Sequence, residues 1–210
     1  MRQQQDRPLR ADAERTVRAI LEAAERVLSA DPSATMEQIA EAAGVARTTV
    51  HRRFATRDAL VEAMTAWAAR KFAAAVETGA SDAVPPLIAL HRATANVLEI
   101  KLGWGFAMSR PSPPGSEVAR LHEEVADKCA HLFVRARDAG VLAAGVDLEW
   151  ARRVYYALIH EAAQERLSGR AGADPDPDAL ATLVVDTLLR GLGADGSPGA
   201  GGGARARSGA

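Results

Sequence analysis

The sequence predicts an all-α protein. Its N-terminal three-helix helix-turn-helix domain joins, through a long fourth helix, to a larger C-terminal helical domain. Three observations carry this. Apolar residues recur at helical spacing along most of the chain, as at Val17, Ile20, Leu21, Ala24, Val27 and Leu28. The composition is 48% hydrophobic but only 4% aromatic, and alanine, which costs least in helical form, supplies much of it. Alternating β-branched runs are missing, so no strand is expected.

The elements follow in order. Residues 1–12 are charged and aperiodic and read as a flexible arm. A first helix starts near Glu14 and stops at Asp31-Pro32-Ser33. Thr35 with Gln38 forms a capping box for a second short helix, 36–43. Gly44 breaks it, since glycine takes the left-handed conformation that a tight turn needs, and a third helix runs from 46 to 54. Thr56 caps a fourth helix to about Glu77, with Asp58 in its first turn, where the helix dipole favours an acid. Gly79 to Pro86 is rich in breakers and marks the expected joint. Helices are then expected at 84–101, 103–109, 116–139, 147–168 and 177–191, the last opened by Asp176 as cap and Pro177 at the first helical position. The tail 193–210 is glycine-rich and expected to be disordered. The domains so drawn are 13–58, with the helix-turn-helix motif at about 36–55, and 59–192.

Charge is the informative irregularity. The chain has a net charge of −1, yet no acid lies between Glu41 and Asp58 while Arg47, Arg52, Arg53 and Arg57 all fall there. On a helical wheel Val50 and Phe54 face inward. Thr48 and Arg52 lie nearly opposite with Thr49 beside them, and His51 and Arg53 flank the edges. Arginine bonds guanine O6 and N7 in a bidentate way, and threonine reaches several base edges. Flanking cations suit phosphates, which position a helix without reading sequence. An ordinary solvated bundle helix also carries such a face. The coincidence with the turn glycine and the preceding short helix favours a DNA groove.

Other classes fit poorly. HEAAQ at 160–164 misses the second histidine of the zinc-protease motif, because Gln164 stands in its place. No phosphate-cradling glycine loop occurs, and no metal or cofactor is expected. Cys129 is the only cysteine, with no disulfide partner and no nearby base beyond His131. A reducing, cytoplasmic setting is therefore expected, and neither a signal peptide nor an apolar run of membrane-spanning length is seen.

The stretch TMEQIAEAAGVARTTVHRRFATRDAL, at 35–60, resembles the TetR family of bacterial transcriptional regulators. The matching features are Thr35 opening the second helix, Gly44-Val45 at the turn, Thr49-Val50 and Phe54 in the third helix, and a basic Arg57 opening the fourth. His51 stands where the family usually has tyrosine, Arg53 where it often has histidine or tyrosine, and Ala46 where a capping serine is usual. The resemblance implies a homodimeric, ligand-responsive repressor of double-stranded operator DNA. It makes Arg47, Thr48 and Arg52 base readers. Thr35, Thr49 and Arg57 become phosphate contacts, the role that the wheel gives to the flanking His51 and Arg53. A ligand-independent activator, or a helical small-molecule binder or enzyme with a vestigial helix-turn-helix, stays as an alternative.

Two half-sites a helical turn apart, about 34–36 Å, need two recognition helices. Residues 180–192 present an apolar arc too wide for one buried face, which suits a helix packed on its own core and on a second copy; a fully buried central helix is the alternative. The resemblance places the helices 147–168 and 177–191 of both subunits at that interface. It also makes the short helix in GWGFAMSR the link between ligand pocket and DNA-binding domain. Trp104, Phe106 and Met108, with His91 and Tyr155, are then candidate pocket residues, although simple core packing explains them equally well.

Overall fold

The computed structural model describes residues 6–167 and 176–192. Among these residues nine α-helices form, and no strand. They are α1 (Asp6–Ala30), α2 (Met36–Ala42), α3 (Arg47–Arg53), α4 (Arg57–Gly79), α5 (Pro86–Gly103), α6 (Gly105–Met108), α7 (Glu117–Asp138), α8 (Leu148–Leu167) and α9 (Pro177–Leu192). The expected helices are all present, with ends shifted by a few residues. The exception is α1, which begins at Asp6 rather than near Glu14, so residues 6–12 of the expected arm are helical. The expected disordered tail, with Arg205 and Arg207, lies outside the described residues.

The chain divides into two compact units. The first takes residues up to Lys71 together with Gly103–His122; the second takes Phe72–Leu102 and the residues from Glu123 onward. This differs from a simple boundary after residue 58. The helix α4 is unbroken, and its buried positions change cores along its length. Leu60, Met64 and Ala68 belong to the core of the first unit, and Val76 to that of the second. The breaker-rich stretch after Gly79 is accordingly inside the second unit. There the Arg135 guanidinium on α7 clamps it, donating to the carbonyls of Ser81, Asp82 and Val84 and to the Asp82 carboxylate at 2.8 Å.

The first core is built from Ile20, Leu21, Ala24 and Leu28 of α1, Met36 and Ile39 of α2, Val50 of α3, Phe54, and the Leu60, Met64 and Ala68 face of α4, joined by Ala107 of α6. One charged group sits among them. Glu25 is 4% exposed and lies four residues after Leu21 and three before Leu28, on the buried stripe of α1. Its carboxylate accepts the backbone N–H groups of Phe106 at 2.7 Å and Ala107 at 3.0 Å, and the Ser29 hydroxyl at 3.0 Å. Trp104, at the N-cap of α6, supplies no side-chain cap, so Glu25 satisfies orphan donors of that helix from another element. A four-residue helix does not persist alone, because its nucleation cost exceeds what so few bonds return. The burial of Ala107 and the Glu25 carboxylate hold it in place.

The second core gathers α5, α7, α8, α9 and the end of α4 around Leu90, Leu98, Leu132, Phe133, Ile159 and Leu188. A Cβ placed on Gly79 would lie 2.5 Å from the Ala93 Cα, so α4 and α5 touch backbone to backbone there. Gly79→Ala should therefore push the two helices apart and cost about 1–3 kcal/mol, read as a lowered midpoint in urea. Glu25→Ala leaves two buried donors unpaired and should cost roughly 2–4 kcal/mol. Glu25→Gln, which keeps one acceptor oxygen, should lose clearly less in the same denaturation experiment.

Candidate nucleic-acid interface

The interface is built from the turn between two seven-residue helices. Thr35, with extended backbone (φ −86°, ψ 164°), caps α2: its Oγ1 accepts the Gln38 N–H at 3.3 Å, and the Gln38 side chain accepts the Thr35 N–H at 2.8 Å. The expected capping box is thus formed. At the other end of α2, Gly44 has φ +66°. The Val45 N–H donates to the Ala40 carbonyl at 3.1 Å and the Gly44 N–H to that of Glu41 at 3.0 Å. This pair of bonds is the Schellman closure, and its left-handed residue is almost always glycine because a Cβ is strained there. Ala46 then opens α3 with no side-chain cap, as its missing hydroxyl implies. Thr56 caps α4, accepting the Ala59 N–H at 3.1 Å.

On α3, Val50 is fully buried and Phe54 follows it into the core. Arg47, Thr48, His51, Arg52 and Arg53 are exposed, and Thr49 is partly so, which matches the wheel. The sequence-identified cations divide by partner. Among the described residues, Thr48, Arg52 and Arg53 have no hydrogen-bond or ion-pair partner. Arg47 Nη2 lies 2.6 Å from the Glu37 carboxylate of α2, and its Nε is 3.5 Å from His51 Nε2 one turn along. The Glu37 carboxyl is held below its ordinary range, first by its own backbone N–H and further by the charge of Arg47, so it is ionised at neutral pH.

Arg57 is occupied inside the domain. Its guanidinium donates to the Pro32 carbonyl at 2.5 Å and the Ala34 carbonyl at 3.3 Å, bracing the loop that presents Thr35. In the same loop Asp31 accepts the hydroxyl and the N–H of Ser33 at 2.6 and 2.9 Å; these bonds lower its pKa. Spacing on α4 gave no hint of this, because the partners of Arg57 lie 23 and 25 residues back. Glu25 was missed as well. A signal existed, an acid on the apolar stripe of α1, which must find buried donors.

The five candidate pocket residues are not brought into one unit. Trp104, Phe106 and Met108 are partly buried against the core of the first unit. His91 and Tyr155 belong to the second. Tyr155 is buried, its hydroxyl 2.8 Å from Thr94 Oγ1 and its ring 5.4 Å from that of Phe133, so it is a satisfied core residue. Burial pushes the Cys129 thiol above its ordinary pKa, which disfavours the nucleophilic thiolate. Among the described residues no group of three His, Cys, Asp or Glu side chains could hold a metal ion, and no helix is long and apolar enough to cross a membrane.

A glycine-closed pair of short helices with an exposed basic second helix, ahead of an all-helical remainder, defines a helix-turn-helix transcriptional regulator. Residues 20–64 match the family model for bacterial regulatory proteins of the tetR family. The chain is 34% identical over 180 residues to the HTH-type transcriptional repressor LfrR of Mycolicibacterium smegmatis, covering 84% of this chain and 94% of that protein. It belongs to the TetR family. Among solved structures, LfrR from Mycobacterium smegmatis in complex with proflavine superposes with a TM-score of 0.63 at 29% identity, covering 85% of this chain and 95% of that one. The regulator PfmR from Thermus thermophilus shares the fold, with a TM-score of 0.68 at 18% identity over 81% of this chain and 97% of that one.

The contacts of Arg57 and Thr35 predict a local effect. Arg57→Ala and Thr35→Ala should each cost about 1–2 kcal/mol and speed amide exchange across 31–38, measured by hydrogen–deuterium exchange. Arg57→Lys should not restore protection, since a single ammonium does not reproduce the guanidinium fork.

Proposed function

We propose that this chain is a cytoplasmic repressor that grips operator DNA as a homodimer and lets go when an organic small molecule binds. The observation that carries this is the open face of α3: Thr48, Arg52 and Arg53 exposed and unpaired among the described residues, on a helix fixed from behind by Val50 and Phe54. Arg52, Thr48 and Arg47 meet base edges. Arg53, His51, Thr49 and Thr35 meet phosphates. Arg57 acts through the loop that it braces rather than by touching DNA itself.

Dimerisation supplies the second recognition helix. It uses α8 and α9, where Trp150 is 53% exposed, Leu183 58% and Tyr156 38%. Large apolar side chains standing on two neighbouring helices of one unit suit a second copy better than water. Ligand control comes from the relative: LfrR, whose structure holds proflavine, supports an aromatic organic ligand for this chain. Such a ligand releases DNA only if it binds the DNA-incompetent arrangement more tightly, since equal affinity shifts nothing. The chain crosses between the two units at 71/72, 102/103 and 122/123, and the second crossing leads directly into α6, which Glu25 ties to α1. That crossing is the covalent route by which a change at the end of α5 reaches α6 and, through Glu25, α1.

The test is an electrophoretic shift with the DNA upstream of the protein's own gene, at stated salt, repeated with proflavine and other planar aromatics. Light scattering gives the subunit number. Arg52→Ala should lose about 1–3 kcal/mol of discrimination at one base pair. Arg53→Ala should weaken binding to every duplex alike and lower the slope of log K against log salt by about one. A monomer that ignores duplex DNA at low salt refutes the proposal.

A further inference from the structure

The pairing of Arg47 carries an inference that rests on the DNA-binding reading and goes beyond it. Arg47 and Glu37 are both exposed, on different helices, and joined at 2.6 Å. Glu37 sits in the first turn of α2, whose N-terminus Thr35 and Gln38 cap and whose loop Arg57 braces, so the carboxylate is presented from a fixed backbone. Arg47, in the first turn of α3, extends toward it, with His51 against its Nε. Arg52 and Arg53, on the same helix, have no such tether among the described residues. One basic side chain of the face is therefore held by an internal anion, while its neighbours are open to solvent.

We propose that Glu37 is a specificity-determining residue, competing with DNA for the Arg47 guanidinium. To enter a groove, Arg47 must give up a carboxylate. A guanine edge returns two well-placed acceptors, O6 and N7, for the one interaction lost. A duplex without guanine at that position returns nothing comparable, and the arginine stays on Glu37. The ion pair is thus broken in the guanine complex and kept in the other, so its cost falls on the sequence that recruits Arg47, while binding that rests on charge alone is spared it. Glu37 thereby sets how far the two affinities stand apart, by holding down the higher one.

The experiment is a double-mutant cycle on two duplexes: one recovered from a random pool by in vitro selection with the wild-type chain, the other a scramble of it. Affinities are measured by fluorescence anisotropy at fixed salt. Glu37→Gln should tighten binding to the selected duplex by about three- to fivefold, the scale of an exposed ion pair, and binding to the scrambled duplex by less. The selectivity ratio should rise accordingly. In the Arg47→Ala background the same Glu37→Gln change should leave the ratio where it was. If Glu37→Gln instead tightens both duplexes equally, with or without Arg47, the carboxylate only repels phosphates and the proposal is overturned. No change on either duplex overturns it too. If no duplex is recovered with the wild-type chain, the DNA-binding reading itself fails. Glu37 is exposed, so an unaltered thermal midpoint should confirm that both single variants fold.

Discussion

A carboxylate inside an apolar core is costly unless its oxygens are fully used. Glu25 meets that condition by accepting two adjacent backbone N–H groups and a hydroxyl. The two N–H groups belong to the first turn of α6, which has no cap of its own. Each side therefore resolves the other's deficit: the helix end gains an anion, and the anion gains donors. Much follows from this exchange. It seats Ala107 in the core, and with it the segment Gly103–His122 joins the N-terminal helices although α5 before it belongs to the other unit. The chain passes out of the DNA-binding unit, through α5, and back again, and Glu25 is where the return is fastened.

The basic surface shows how neighbours sort side chains of one type. Four arginines fall in the acid-free stretch, and sequence alone treats them as equals. Arg57 commits its guanidinium to two carbonyls of the loop before α2. Arg47 pairs with Glu37. Only Arg52 and Arg53 are left open among the described residues. The net positive patch that the sequence suggests is thus two free cations, one tethered and one structural.

The division of the chain makes a related point. The glycine- and proline-rich stretch from Gly79 to Pro86 has the composition of a linker. It nevertheless lies within one unit, because Arg135 binds three of its carbonyls and Gly79 lets α4 and α5 meet at backbone contact. The first passage between units occurs instead inside a continuous helix, α4. Breakers end helices, but they do not say which core the flanking residues enter.

What was legible from the residues alone was whatever a few neighbours decide. The Thr35–Gln38 box, the left-handed Gly44, the Thr56 cap and the inward turn of Val50 and Phe54 each depend on partners within about five positions, so spacing specifies them. Helix number and the solvent-facing side of α3 followed for the same reason. What only the tertiary structure decided were pairings across long separations: Glu25 with residues 81 and 82 positions away, Arg57 with the α1–α2 loop, and Trp104, Phe106 and Met108 packed on the first core instead of joining His91 and Tyr155. Periodicity tells which face of a helix is turned inward, but not which distant element it will find there.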